Sequence, residues 1–596
     1  MADPRTRCVK RFGVLLGVAL LASTAPARAG DSQYSEYEQA TIDAALTDQG
    51  EELELDPAGK RIEDIRIVTL DVIEERDPYP GLFNIFHATT RPHIVERELT
   101  FRRGERYDQR RVDESARALR SARQLSLVLI VPIQGSEPDS IKLLVITKDV
   151  WSLRLNTDFE IADGRLTRLL LQPAEENVLG THTMVGGLFV LEPATYSLGA
   201  QFIDRRVAGS RIQAIVSGNV IFNRSSGQPE GSFGGLSYGT NLFSAETKWA
   251  FRTLVTWRQE VFRSFIGADQ RTFDAESTAV DDRIPYEYDS ARYYGAYLLT
   301  RSFGRRFKHD VSVGVEVDHR KAKPTNLAGV DPLAAREFVA SELPVNDTRA
   351  SPLVQFRSYT SDYSRVLDFE TLGLQEDFRL GHDLVFRVYP ASRDVGSSRT
   401  LLGTFAAAGY TFPFGDGLAR AILSNTLELA SPAETDGLAS ANVRVVTPRI
   451  GLGRLVYDGL VLNRYENYLN ERFTLGGGSR LRGYPLQAYL GKDVVASNLE
   501  FRTTPVEILR TQLGGALFYD VGDAYDGGDD LHLKQSVGLG LRALIPQANR
   551  IVFRADYAVP VVAGRAVGPG SFFMTFGQAF GMPTIAPPSL GSDFLD

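Results

Sequence analysis

The chain has a single cysteine, Cys8, among 596 residues. It lies inside an N-terminal stretch that reads as a leader, so the rest of the chain can form no disulfide, and the stapling that holds many small exported domains is excluded. Basic residues are not in excess: 66 Lys and Arg stand against 74 Asp and Glu, a formal charge of -8. That balance offers no electrostatic footprint for nucleic acid. Histidines number seven, at His87, His93, His182, His309, His319, His382 and His532. None falls in an H-E-x-x-H spacing, and the sequence assigns no catalytic residue, no metal site and no cofactor. After the leader no run approaches the roughly 20 apolar residues of a membrane helix.

The leader is legible. "MADPRTRCVKR" is a basic start, "FGVLLGVALLASTA" an apolar core, and "ARA" at Ala27 to Ala29 an A-x-A cleavage site, together the pattern of an export signal over residues 1–29. Its removal takes away Arg5, Arg7, Lys10, Arg11, Arg28 and Asp3, moving the formal charge from -8 to -12. Residues 30–58 are polar and acidic and read as a linker or loosely ordered arm.

Residues 59–150 read as a small α/β unit in the order strand, helix, helix, strand, strand. "RIEDIRIVTLDVI" is the first strand. Thr90 and Pro92 suit a helix start ahead of Ile94, Val95 and Leu99. Asp108 caps a second helix with Val112, Ala116, Leu119 and Ala122 at helical spacing. "LSLVLIVPI" and "SIKLLVITKDVW" complete the unit. Its size suits binding through a strand edge or a helix–strand groove more than a deep enzymatic cleft.

From Trp151 to Phe580 the period changes to two. "VSVGVEVD" sets Val311, Val313, Val315 and Val317 against Ser312, Gly314, Glu316 and Asp318, and "VGLGLRA" sets Val537, Leu539 and Leu541 against Gly538, Gly540 and Arg542. In "IVFRADYAV" the apolar side is opposed by Arg554 and Asp556. Such alternation fits a soluble sandwich with its apolar face inward or a transmembrane barrel with it outward. The charged second face, strands of about ten residues and alternately short and long connections favour the barrel, the one sheet form that satisfies its backbone in lipid. With 54 glycines and 10% aromatics supporting many strands and turns, the expectation is a mainly β protein. It comprises a transmembrane antiparallel β-barrel of about 16 strands preceded by one small α/β domain. Residues 260–290 and 320–370 do not parse by alternation.

One stretch breaks the pattern: "RFTLGGGSRLRGYP", residues 472–485. Gly476 and Gly477 let the chain fold sharply back, and Arg482 could then reach the lumen. Downstream, "ALFYDVGDAY" places Phe518, Asp520 and Gly522 on the polar face. A guanidinium and a carboxylate could pair there bidentately. By charge alone, a solvated loop tip fits as well.

"GGGSRLRGYP" and "FYDVGDAY" closely resemble paired signatures of the BamA/TamA superfamily of outer-membrane assembly factors. The resemblance is carried by Leu481, Arg482, Gly483 and Tyr484 after Gly476 and Gly477, and by Phe518, Asp520 and Gly522. It implies that the loop enters the barrel and that Arg482 pairs with Asp520. It also implies that residues 59–150 are a POTRA domain in the periplasm and that Phe580 is the strand-end aromatic of a barrel over 151–580, with 581–596 a C-terminal extension. A single POTRA and that extension depart from the usual pattern. The function implied is insertion or translocation of client polypeptides by strand pairing at POTRA edge and barrel seam, without cofactor or covalent chemistry. The implied partners are the outer-membrane bilayer, unfolded clients, and periplasmic chaperones or accessory lipoproteins. Alternative readings are a two-partner-type secretion transporter, a lipid or lipoprotein exporter, a passive porin, or a barrel hydrolase with a Ser-His pair hidden across strands.

Overall fold

The computed structural model describes residues 34–587, apart from positions 35, 76, 78, 79, 163, 326 and 479. The expected leader at 1–29 and the last residues, 588–596, lie outside them.

The N-terminal unit is a three-stranded sheet of β1 (Arg61–Leu70), β2 (Leu125–Gln134) and β3 (Ser140–Asp149) in the order β1-β3-β2. β1 runs parallel to β3 and β2 antiparallel to it. One face is covered by α2 (Pro92–Glu96) and α3 (Gln109–Arg120), which bury Val95, Leu99, Val112, Ala116 and Leu119 against Ile62, Val128 and Val145. Asp108 caps α3, accepting from the Arg110 amide at 2.9 Å. Thr90 does not cap α2; its amide and hydroxyl donate to Asp149 at 2.7 and 3.0 Å.

The acidic stretch expected as a linker is instead helical over α1 (Glu36–Gln49). Glu38, Thr41, Ile42 and Ala45 form its buried stripe at three-to-four spacing, and Tyr37, Ile42, Ala45 and Leu46 pack on the second face of the sheet over Leu129, Val131, Leu144 and Ile146. Acidic residues on the outer side of the helix hid that stripe in the sequence. Lys148, 1% exposed, ties the helix down by donating to the Tyr37 hydroxyl at 2.8 Å, Glu74 at 2.8 Å and Asp77 at 2.6 Å. With both faces covered, the edge of β1 beyond Ile62 carries no ladder partner among the described residues.

The rest is a closed antiparallel barrel. Its staves are β4 (Leu153–Ala162), β5 (Arg165–Glu175), β6 (Thr183–Leu191), β7 (Thr195–Asp204), β8 (Ile212–Asn223), β9 (Pro229–Thr240) and β10 (Trp249–Arg263). They continue with β11 (Glu287–Phe303), β12 (Phe307–Pro324), β13 (Asp347–Thr360), β14 (Gly381–Ala391), β15 (Leu401–Phe414) and β16 (Gly417–Leu429). The remainder are β17 (Asp436–Val446), β18 (Gly453–Asn467), β19 (Asp493–Thr503), β20 (Thr511–Tyr525), β21 (Lys534–Leu544), β22 (Phe553–Val562) and β23 (Ser571–Phe576). Short segments Val506–Ile508 and Arg565–Ala566 extend β19 and β23 along the same neighbours. The barrel therefore has 20 strands, not about 16. The regions that did not parse, 260–290 and 320–370, hold the whole of β13 and the ends of β10, β11 and β12, which are 15, 17 and 18 residues long. Their distal ends, such as "DHRKAKP" in β12, are polar and run past the apolar belt, so alternation marks only part of each.

Side-chain direction follows the alternation. Val311, Val313, Val315 and Val317 are 38–56% exposed on the outside, whereas Ser312, Glu316 and Asp318 are buried in the lumen. No helix of the described residues is long and apolar enough to cross a membrane; the strands supply the apolar belt.

The N-terminal unit sits at one mouth, here called proximal. Arg206 forks onto Glu98, Arg111 meets Glu246 at 2.9 Å, and Gln375 donates to Glu38 at 2.9 Å. Two segments turn into that mouth. One is the hairpin of Tyr363–Leu367 and Gln375–Arg379 between β13 and β14. The other is the tail after β23. Phe580 is therefore not a strand-end aromatic: β23 stops at Phe576, and Phe580 is buried against Phe369, Leu418, Val446 and Val456. The strand breaks at Gly577, whose φ of 111° suits glycine, and the inward arginines then receive the ring and its carbonyl.

Candidate functional site: the inturned loop and the barrel seam

The loop between β18 and β19 leaves the distal rim through a short ladder of Phe473–Leu475 with Tyr489–Gly491. Gly476, Gly477 and Gly483 have φ of 121°, 94° and 99°, so the descent rests on conformations that side chains disfavour. Gly483 also lies against the wall: a Cβ there would stand 3.1 Å from Ser536 and from the Ala558 backbone. Leu481 is buried with Leu475, Val494, Ala496 and Ala524. The Tyr484 hydroxyl donates to the Gln535 carbonyl at 3.2 Å, and its ring meets Tyr489 edge-on at 5.5 Å.

Arg482 is fully buried. Its Nε and Nη2 donate to the two oxygens of Asp520 at 2.8 and 2.9 Å, and its amide adds a third bond at 3.1 Å. Its Nη1 donates to Glu500 at 2.8 Å and Asp556 at 3.2 Å. The Phe518 ring lies under the guanidinium, centroid 3.4 Å from Cζ, a cation–π stack. Gly522 keeps space beside the loop's neck, since a Cβ would come within 2.7 Å of the Val495 carbonyl oxygen. The structure thus brings the loop residues and the strand residues of the sequence motifs into one site.

Further members of this network were not singled out in the sequence. Arg542 donates to Asp556 at 2.5 Å and Glu500 at 3.3 Å. Arg502 donates to Glu500 at 2.8 Å. Arg554 donates to Asp556 at 3.0 Å and to the Gly478 carbonyl at 2.6 Å. Carboxylates Glu500, Asp520 and Asp556 and guanidiniums Arg482, Arg502, Arg542 and Arg554 alternate, so each buried charge faces an opposite one. Room for them comes from a glycine: a Cβ on Gly540 would stand 1.9 Å from an Asp556 oxygen. The available signal was the inward side of each strand, where Glu500/Arg502 and Arg554/Asp556 stand two residues apart.

The loop also reaches the closure of the barrel. β23 pairs with β4 over four residue pairs, Ser571↔Ala162 to Met574↔Phe159, whereas β19 pairs with β20 over ten. On the first strand, Glu160 accepts from the Leu486 amide at 2.9 Å. On the last, Phe573 packs 3.1 Å from where a Cβ of Gly478 would stand. One loop spans the shortest pairing of the wall.

The remaining polar cluster is at the junction with the N-terminal unit. His87 bridges Ser152 Oγ at 3.2 Å and Asp149 Oδ2 at 2.9 Å, the residue types of a hydrolytic triad. Ser152 is 1% exposed, out of a substrate's reach, so the arrangement serves as a joint. Asn177 and His182 of the barrel meet Thr90, each at 3.1 Å. Burial, then Arg205, lowers the pKa of His182 to about 3, so it is neutral. No group of three or more His, Cys, Asp or Glu among the described residues could hold a metal.

Residues 442–580, the stretch that carries both motifs and the arginine–carboxylate network, match the Omp85 superfamily domain. The chain is thus a closed antiparallel β-barrel protein, and this part of it is similar to the domain of that superfamily. Among solved structures it is similar to BamA from Haemophilus ducreyi lacking POTRA domains 1–3, with 12% identity, 91% of this chain and 94% of that one, and TM-score 0.35. It is also similar to CdiB from Acinetobacter baumannii, with 12% identity, 87% and 74%, and TM-score 0.41. CdiB from Escherichia coli aligns with 10% identity, 92% and 88%, and TM-score 0.43. No curated protein matches the chain.

Proposed function

We propose that the protein inserts or translocates client polypeptides at the outer membrane by offering strand edges to them. The observation that carries this reading is the four-pair β4–β23 seam spanned by a loop locked through Arg482. A short ladder costs little to open, and an opened pair exposes two edges that an incoming strand can extend. The single N-terminal domain, read as a periplasmic POTRA, presents the edge of β1 for the same kind of pairing. The leader at 1–29 delivers the chain to this location. Periplasmic chaperones or accessory lipoproteins are the partners this role calls for. Catalysis has no part in it. A passive porin needs a clear lumen, and here the proximal mouth is crossed by the hairpin of 363–379 and by the tail.

The test is depletion of the protein followed by quantitative proteomics of isolated outer membranes. A fall in many barrel proteins supports insertion. Loss of one surface or secreted protein, with barrels intact, supports a dedicated secretion transporter or lipoprotein exporter. No change in the membrane proteome removes the proposal.

A further inference from the structure

Inside the proximal half of the lumen, wall arginines repeat one arrangement. Each is anchored to the wall on one side and donates on the other to a main-chain carbonyl of an inserted segment. Arg444, held by Asp458 at 2.8 and 2.6 Å, donates to the Phe580 carbonyl at 3.1 Å. Arg420, held by Thr411 at 2.6 Å, donates to the Pro583 carbonyl at 2.7 Å. Arg502, held by Glu500, donates to the Phe369 carbonyl at 2.7 Å. Two of the three contacts add a ring on a guanidinium. Phe580 lies 4.5 Å from Arg444, and Phe369 lies 5.0 Å from Arg454. Arg502 Nη2 is buried and has no hydrogen-bond partner among the described residues, while its guanidinium stands 5.7 Å from the Phe580 ring.

The tail follows this row of arginines across the barrel. It leaves β23 at Gly577, passes Phe580 under Arg444 on β17 and Pro583 under Arg420 on β16, and packs Ile585 on Val385, Phe405 and Ala407 of β14 and β15. Eight residues in extended form span roughly 27 Å, enough to reach the wall opposite the seam. The contacts read carbonyls, which every residue has, and one aromatic ring. They ask for an extended chain, not for a particular sequence.

We propose that Arg420, Arg444 and Arg502 form a binding groove for an extended polypeptide segment carrying an aromatic residue, and that the chain's own tail is its resident occupant. The inference rests on the polypeptide-handling reading for the identity of the natural ligand. A client segment entering from the proximal mouth exchanges with the tail, which leaves the wall at Gly577.

The test uses the full-length protein in detergent and a fluorescent peptide of residues 577–587, GQAFGMPTIAP. Phe580→Ala loosens the resident tail, and it binds the peptide at least tenfold more tightly than the unaltered protein. Adding Arg420→Gln or Arg444→Gln to Phe580→Ala reverses that gain. The same peptide with its phenylalanine replaced by alanine binds at least tenfold more weakly to Phe580→Ala, a comparison that involves no further change in the protein. Equal binding by Phe580→Ala and the unaltered protein overturns the proposal, and so does indifference to the peptide's phenylalanine. Peptide binding in a protein whose depletion leaves the membrane proteome unchanged keeps the groove and removes the client reading. A depletion phenotype without peptide binding does the reverse.

Discussion

Replacing Arg482 by alanine takes the guanidinium from Asp520, which then keeps only the backbone amide of residue 482 among its three hydrogen bonds. Glu500 and Asp556 keep Arg502, Arg542 and Arg554, so the uncompensated charge is the one on fully buried Asp520. Breaking a buried pair from one side costs about 3–5 kcal/mol, and loss of the stack on Phe518 adds about 0.5–2 kcal/mol. Extending the size trend of thermal shifts to a barrel this large, the midpoint of heat-modifiable gel mobility falls by roughly 5 °C or more. Client insertion falls with it, because the loop that spans the seam is no longer anchored to the wall at Asp520. Adding Asp520→Asn to Arg482→Ala restores at least half of the lost midpoint, as the stranded charge is gone. Swapping the two charges does not rescue: an aspartate at 482 would face Glu500 and Asp556. Unchanged mobility and insertion in Arg482→Ala would refute the reasoning.

His182 has a folded pKa of about 3, below its unfolded value of about 6.5. Its contribution is therefore complete above pH 6.5 and is lost as pH falls from there toward 3. At pH 5 the joint between the N-terminal unit and the barrel is weaker by about 2 kcal/mol; lower amide protection factors around Thr90 and Asn177 at pH 5 than at pH 7.5, each taken relative to intrinsic exchange at its own pH and absent in His182→Gln, are the expected sign, and equal protection contradicts it. Gly483→Val forces a side chain into a φ of 99° beside Ser536, at a cost of about 1–3 kcal/mol. It lowers the heat-modifiability midpoint, whereas Gly528→Ala, with nothing within 4 Å of its Cβ, leaves it unchanged.

The period of two along β12 and β21 was enough to set which side faces out, because a strand exposed to two solvents must separate its side chains. The loop and strand motifs located Arg482 and Asp520. Their further partners were hidden because cross-strand register, not spacing, assembles them. Asp520 stands opposite Asn498 and Ser536, and Asp556 opposite Gly540, so residues up to 74 positions apart meet at one guanidinium. Phe580 was misplaced for a related reason. A strand-end ring and a luminal ring look alike until Arg444 and Gly577 are placed around them. α1 was missed because its apolar stripe is short and surrounded by acids, and it becomes a helix through packing on β2 and β3.

The proposed function depends above all on the seam between β4 and β23 opening to polypeptide. Ile161 and Phe572 are paired across it, at a separation that ladder neighbours share with disulfides, and Cys8 is the sole native cysteine. In Ile161→Cys with Phe572→Cys, reconstituted into liposomes with denatured barrel clients, insertion or translocation is expected to be lost when the bond is oxidised and to recover on reduction. Equal activity of the oxidised and reduced forms would contradict an opening seam.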